Sequence, residues 1–191
     1  MKEKVGYPWT TLPDTMFEHA AAGYGGHGTL CGTLGASSCL INMVAYDEKG
    51  AYAGLIDQMM YRYSETEFPT ERFDDISSMP KQVKAKAMTP LCHTSVSKWA
   101  MAAGVKTDSK PKKERCAKVA GEVVYQVVSH LNEYFDGKWT PPKWSPKPEV
   151  AHCWNCHSSD DMFYKQVSPH SQQGHMDCLL CHKDHTKMAG K

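Results

Sequence analysis

A mainly α fold, a helical N-terminal domain followed by a short and mostly irregular C-terminal segment, is predicted by three features of the 191-residue sequence. Before residue 137, apolar residues recur at three- and four-residue steps, the spacing that gathers them on one face of a helix. Between Gly137 and Val150 the composition shifts, with Pro141, Pro142, Pro146 and Pro148 interleaved with Trp139 and Trp144. The 41 residues after Val150 are poor in large aliphatic side chains, with Met162, Phe163, Val167, Leu179 and Leu180 among the few apolar ones. The expected organisation is a helical domain over 1–137, a Pro/Trp-rich linker over 138–150 and a C-terminal segment over 151–191.

The first helix is expected to start at Asp14, an N-cap residue after Pro13, and to run through Met16, Phe17 and Ala20 to Gly23, Gly25 and Gly26. A second spans Thr29 to Tyr46, weakened in its middle by Gly32, Gly35 and the Ser37-Ser38 pair. A third, Ala51 to Ser64, sets Leu55, Ile56, Met59, Met60 and Tyr63 along one core-facing stripe. From Phe68 to Pro90 three prolines and little periodicity predict an irregular connection. Thr94 or Ser95 would cap a short helix through Val96, Trp99 and Ala100, ended by Gly104. After a charged link at Lys106 to Lys113 comes the longest pattern: Cys116, Val119, Val123, Val124, Val127, Leu131 and Phe135, spaced as a buried helix requires. The proline run after it cannot continue a helix, and its indoles are expected to lean on something apolar.

A net charge of +1, with no dense run of Lys and Arg, argues against a nucleic-acid footprint. No apolar run approaches the length of a bilayer span. Eight cysteines in 191 residues therefore carry most of the chemical information.

Four of them lie in His152-Cys153-Trp154-Asn155-Cys156-His157 and, twenty residues on, Cys178-Leu179-Leu180-Cys181-His182. Cys-x-x-Cys-His is the spacing of a c-type haem attachment site, in which two thiols form thioethers with the porphyrin and the adjacent imidazole reaches the iron. A zinc site on the same four thiols explains four residues and leaves His157 and His182 as coincidences. Two covalent haems explain six. The C-terminal segment is thus read as a dihaem segment, with His157 and His182 as the proximal ligands. Segments of about 40 residues rarely fold alone, so the haems are expected to be buried by one another, by the helical domain or by a second chain, and a homodimer through the haem region satisfies this most simply. Haem attachment of this kind takes place outside the bacterial cytoplasmic membrane. The expected compartment is the periplasm, with an export signal already removed, since Met1-Lys2-Glu3-Lys4-Val5-Gly6 lacks the apolar core of one.

Each iron has a sixth position whose occupant sets its chemistry. The candidates are His152, His170, His175 and His185, with the histidines of a partner subunit also in reach; Met162, Met176 and Met188 are the alternatives. His152 is too close to Cys153 to serve that neighbour's haem and would ligate another. Irons held by two imidazoles have no open site, which points to an electron carrier. A small reductase of a nitrogen or sulfur oxide, with one five-coordinate haem, is the alternative, and carbon monoxide binding would separate the two.

Cys31, Cys39, Cys92 and Cys116 are open to three readings: two disulfides, an iron–sulfur or zinc centre, or buried thiols. On one continuous helix Cys31 and Cys39 would stand about 12 Å apart, beyond the reach of a mutual disulfide. The run Tyr24-Gly25-Gly26-His27-Gly28-Thr29-Leu30-Cys31-Gly32-Thr33-Leu34-Gly35, with Cys39, Cys92-His93-Thr94-Ser95-Val96-Ser97-Lys98-Trp99 and Cys116, looks like a widespread bacterial four-cysteine family. Joined to a dihaem tail, nearly the whole chain resembles the split-Soret cytochromes c of sulfate- and nitrate-reducing bacteria. That resemblance implies a helical homodimer with two haem c per chain in close contact, sixth ligands given across the interface, and an iron–sulfur centre, [2Fe-2S], on Cys31, Cys39, Cys92 and Cys116. It also implies a periplasmic electron-transfer role in anaerobic respiration, with redox-protein partners; His27 and His93, beside these cysteines in sequence, are open to a role around the centre or a structural one.

Overall fold

The computed structural model describes residues 2–47, 49–143, 145–157 and 174–183, with the side chains of Asn155 and Cys156 outside that description. It divides into two compact units, Met1–Pro141 and Pro142–Lys191.

The first unit is helical, in the order α1 (Lys2–Val5), two 3-10 turns (Trp9–Thr11 and Asp14–Ala20), α2 (Gly32–Ala45), α3 (Ala51–Glu65), α4 (Cys92–Ala103) and α5 (Lys110–Phe135). Its core is the meeting of α2, α3 and α5. Leu34, Ile41 and Ala45 from α2, Leu55, Met59 and Tyr63 from α3, and Val119, Val123 and Val127 from α5 bury against one another, joined by Phe68 and Ala87. The three valines carry a helix-propensity cost of at most about 0.7 kcal/mol each. Burial contributes roughly 1.5–3 kcal/mol per side chain, so packing decides the conformation.

The termini of these helices reflect local chemistry. Ser109 accepts a hydrogen bond from Lys112 N at 3.4 Å, and a proline stands in the first turn of α5. The helix therefore starts at Lys110, inside the stretch expected to be a charged link. Gly104, left-handed at φ 64°, closes α4. That helix is capped at Leu91 rather than at the expected Thr94 or Ser95, because an antiparallel bridge between Leu30 and Leu91 hands the chain directly into it. Asp14 begins a 3-10 turn rather than an α-helix, and its carboxylate pairs with Lys2 instead of capping.

Two further expectations are corrected. Val124 and Phe135 are 50% and 65% exposed, so the buried stripe of α5 is narrower than its apolar pattern. The balance of the inner face is polar, with Arg115, Lys118, Glu122 and His130 buried on it. The region from Phe68 to Pro90 is clasped at its base by β1 (Glu67–Phe68) and β2 (Ala85–Lys86), antiparallel with Phe68 opposite Ala85. Trp99 Nε1 donates to Val83 O at 2.7 Å, Lys118 reaches Asp74 and the carbonyl of Met79, and Glu114 accepts from Ser77 and Ser78. Side chains from α4 and α5 thus order a loop that has little regular structure of its own.

In the second unit α6 (Pro148–His157) begins at Pro148, which suits a first helical position. Residues 148–150 are helical, although the proline-rich pattern placed them in an extended link. A 3-10 turn spans Cys178–Leu180, with Asp177 capping Leu179 N at 3.0 Å. Lys147 Nζ lies 3.9 Å from Asp177, joining the approach to α6 to the cap of that turn.

Candidate metal centres

The N-terminal cysteines are positioned by two helix starts that the chain docks side by side. Cys31 is the N-cap of α2 and Cys92 the first residue of α4. Between them run Cys31 N to Pro90 O at 2.9 Å, Cys92 N to Thr29 O at 2.7 Å and His93 N to Gly28 O at 2.9 Å. Cys116 adds to them from α5. The thiol of Cys92 is pushed up by burial first, then by the neighbouring Cys31 and Cys116, while Lys112 and Arg115 oppose the shift. The charges of Cys31 and Cys116 both act on Cys92.

Glycines make this docking feasible. A Cβ on Gly32 would collide with the carbonyl of Ala20, and one on Gly35 with the Tyr24 hydroxyl. Gly23, at φ 72°, would meet Cys92 Cβ at 2.8 Å. The glycine-rich loop therefore presses directly on the cysteine group. Gly32 and Gly35 do not interrupt α2, which runs unbroken to Ala45; they admit the turn before it. His27 and His93 are both exposed beside this loop.

Cys39 is placed differently. It lies two turns along α2 from Cys31, about 12 Å along the axis, on the exposed flank opposite Leu34 and Ile41. None of the four N-terminal cysteines is joined in a disulfide. Among the described residues, no three His, Cys, Asp or Glu side chains converge on one point as ligands of a single ion do.

Three residues outside the sequence-based set complete the surroundings. Tyr63 Oη donates to Ser95 Oγ at 2.8 Å, and Arg115 Nη2 donates to the same oxygen at 2.7 Å. Tyr63 also meets Cys31, and burial, with that thiol, holds its phenol far above the usual range. Ser95 is one turn from Cys92 and Arg115 adjoins Cys116, which is the sequence signal that would have found both.

The two Cys-x-x-Cys-His motifs lie in the second unit. The first occupies the last turns of α6, where Cys153 Sγ is 3.6 Å from His152 Nε2. The second closes as one helical turn, with Cys181 N to Cys178 O at 3.2 Å and His182 N to Cys178 O at 2.9 Å. Both motifs have helical backbone, in which positions three apart share a face and the next residue follows one step on, so this spacing fits covalent haem. Cys181, His182 and His175 are exposed, and Cys178 is half-buried. His170 and His185 lie outside the described residues.

A family model described as "Putative redox-active protein (C_GCAxxG_C_C)" matches residues 1–138. The Cys-x-x-x-Gly spacing in that description is met by Cys31 and Gly35. A curated relative, split-Soret cytochrome c of Desulfovibrio desulfuricans, is 26% identical over 185 residues, 95% of this chain and 64% of the relative. The chain therefore spans just under two thirds of that relative's length. A solved structure described as a novel iron centre in the split-Soret cytochrome c from Desulfovibrio desulfuricans superposes with a TM-score of 0.80 at 24% identity, covering 98% of this chain and 76% of that one. That likeness establishes a shared fold.

Proposed function

The chain belongs to the C_GCAxxG_C_C family, and on that premise we propose that it is an electron-transfer protein carrying two haem c and an iron–sulfur centre. The observation that carries this is the second unit's pair of helical Cys-x-x-Cys-His turns in a chain whose other unit gathers Cys31, Cys92 and Cys116. Cys153, Cys156, Cys178 and Cys181 would hold the porphyrins as thioethers, and His157 and His182 would ligate the irons. The sixth ligands come from His152, His170, His175 and His185, within the chain or across a homodimer formed at the haem region. When bound, these groups supply one-electron chemistry.

In the first unit, Cys31, Cys92 and Cys116 would ligate an iron–sulfur centre with Cys39 as the fourth ligand. Thiols that neighbour one another without converging suit a centre wider than a single ion, and two irons is the reading we adopt. Tyr63 and Ser95 close its inner side against the core, and the Gly23 loop covers Cys92. The periplasm is the compartment in which such haems are attached, and anaerobic respiration the process that such a carrier serves.

The decisive measurement is the mass of the denatured, acid-acetone-extracted polypeptide, which should exceed that of the chain by two covalent tetrapyrroles. Iron and acid-labile sulfide should stand at roughly four and two per chain. Cys39→Ser is the sharpest variant of the first centre: loss of sulfide is expected, and full retention of iron and sulfide would reduce the ligand set to three. Zinc without iron, in a colourless protein, would overturn the whole proposal.

A further inference from the structure

The formal charge of +1 conceals an uneven spread. Between Lys81 and Lys118 ten Lys and Arg stand against two acids, while the rest of the chain carries twelve against nineteen. Half of those ten are engaged within the fold: Lys84 with Glu71, Lys86 with Glu65, Lys118 with Asp74, Arg115 with Ser95 and Lys98 with the Met88 sulfur. The other half are Lys81, Lys106, Lys110, Lys112 and Lys113, and none of these makes an ion pair among the described residues. All but the half-buried Lys112 are exposed. The fold gathers them at one place. Lys110, Lys112 and Lys113 fill the first turn of α5, and Ser109 N donates to Lys106 O at 3.2 Å in the bend before it. Gln82 Nε2 donates to Pro111 O at 2.8 Å, which sets Lys81 beside the same turn. Glu114, the next acid along, is occupied by Ser77 and Ser78. Cations crowded against one another and against the positive end of a helix lower stability, so α5 gains nothing from this placement. The cysteine group lies next to it. Lys112 and Lys113 stand four and three residues before Cys116, on the same side of α5, and the Lys112 charge reaches Cys92.

We propose that Lys81, Lys106, Lys110 and Lys113 form the docking surface for a carboxylate-rich one-electron carrier protein, which exchanges electrons with the first centre. This rests on the iron–sulfur reading of Cys31, Cys39, Cys92 and Cys116. In the docked pair one electron leaves the partner's reduced prosthetic group and reduces the centre, with no bond made or broken. Opposite charges speed the encounter, and their screening by salt keeps the complex short-lived, as a carrier that must release its partner requires. The acidic remainder of the chain repels an extended polyanion such as a nucleic-acid backbone, but not a compact acidic face seated on the lysines.

The test uses the full-length protein with its iron and acid-labile sulfide measured first; absence of sulfide overturns the iron–sulfur reading and this proposal together. The probe is a strongly acidic flavodoxin in its hydroquinone form, which becomes the semiquinone as it gives up one electron. Reduction of the first centre is followed by its paramagnetic signal in freeze-quenched samples. At low salt the second-order rate should fall about tenfold or more when Lys110→Glu and Lys113→Glu are combined, and its decline with added salt should flatten. That variant should melt slightly higher than wild type, because acids replace cations at a helix N-terminus, which separates docking from folding. Lys49→Glu with Lys138→Glu changes the net charge equally, at exposed residues outside the patch, and should keep most of the wild-type rate. Equal losses in the two variants overturn the patch in favour of net charge alone, and an unchanged rate in the first overturns it outright. Tighter binding of a single-stranded DNA oligonucleotide than of the flavodoxin, at equal salt, overturns the choice of a protein partner.

Discussion

Gly32 shows how one hydrogen atom in place of a methyl lets the start of α2 lie against the backbone of Ala20. In an ordinary helix interior, Gly to Ala gains roughly 1 kcal/mol. At Gly32 the new methyl would strike the backbone carbonyl of Ala20, which cannot swing away. Gly32→Ala should therefore lose about 1–3 kcal/mol in urea unfolding. Gly121 in α5 is the contrast, because a methyl there meets only the edge of the Phe73 ring. Gly121→Ala should come out near neutral, with ring rotation and helix propensity offsetting each other. His130 supplies a second test at this scale. It is buried, accepts from Arg62 Nη1 at 3.1 Å, and is held below its usual 6.5 by burial first and the Arg62 cation second. The unfolded chain then binds the proton more readily, so its contribution is complete above about pH 6.5 and is lost as pH falls through the lowered folded value. The lowered carboxylates Asp47, Asp74 and Glu114 lose theirs further down, near and below pH 4. Between pH 6.5 and 5 the slope of unfolding free energy against pH should flatten in His130→Gln; an unchanged slope would assign it elsewhere.

At the scale of elements, α5 does two jobs at once. Its valines seal the core, and its buried charges hold the irregular connection between β1 and β2. Lys118 is 2% exposed in its side chain and Asp74 19%. Removing the partner of the more buried ion costs more, so Asp74→Asn should lower the melting temperature further than Lys118→Met, which leaves the carboxylate near water. The opposite order in thermal melts would show that the loop, not the buried ammonium, bears the strain. This helix also shows what the sequence made legible. Val119, Val123 and Val127 announced the buried face through spacing, as Leu55, Met59 and Tyr63 did for α3. Arg115, Lys118 and Glu122 did not, because charge at those positions reads as a solvated flank until tertiary partners are known. The start at Lys110 was encoded in Ser109 and Pro111, but the surrounding lysines masked it. In α2 the glycines read as weakness, whereas they serve close approach, a property of the neighbour and not of the helix. Likewise Ser95 resembled a cap and is instead an acceptor shared by Tyr63 and Arg115. The grouping of Cys31, Cys92 and Cys116 depends on the Leu30 to Leu91 bridge, which joins segments about sixty residues apart and leaves no local trace.

For the whole molecule, the first unit draws its core cluster and the side chains packed on it from residues 30–139. Trp139 ends that unit by packing edge-on to Tyr134 and donating to Gln58 Oε1 at 2.8 Å. A fragment of residues 1–141 should therefore fold with its helix content intact and melt within about 4 °C of the intact chain, a difference below about 1 kcal/mol at this size. Circular dichroism melts of fragment and full chain test this; a fragment without a cooperative transition would show that the core depends on residues beyond Pro141. Ser95→Ala in the same fragment should keep a cooperative transition but lower its midpoint, because the Tyr63 hydroxyl and Arg115 Nη2 both lose their buried acceptor.

The division at Pro141 and Pro142 bears on how the protein is matured. On the proposed function, porphyrin ligation would act on a stretch of some fifty residues, whereas iron and sulfide would be delivered to the separate first unit. The two assembly lines need not wait for one another, and a cell lacking either should still accumulate a half-finished product in which the other cofactor is correctly installed.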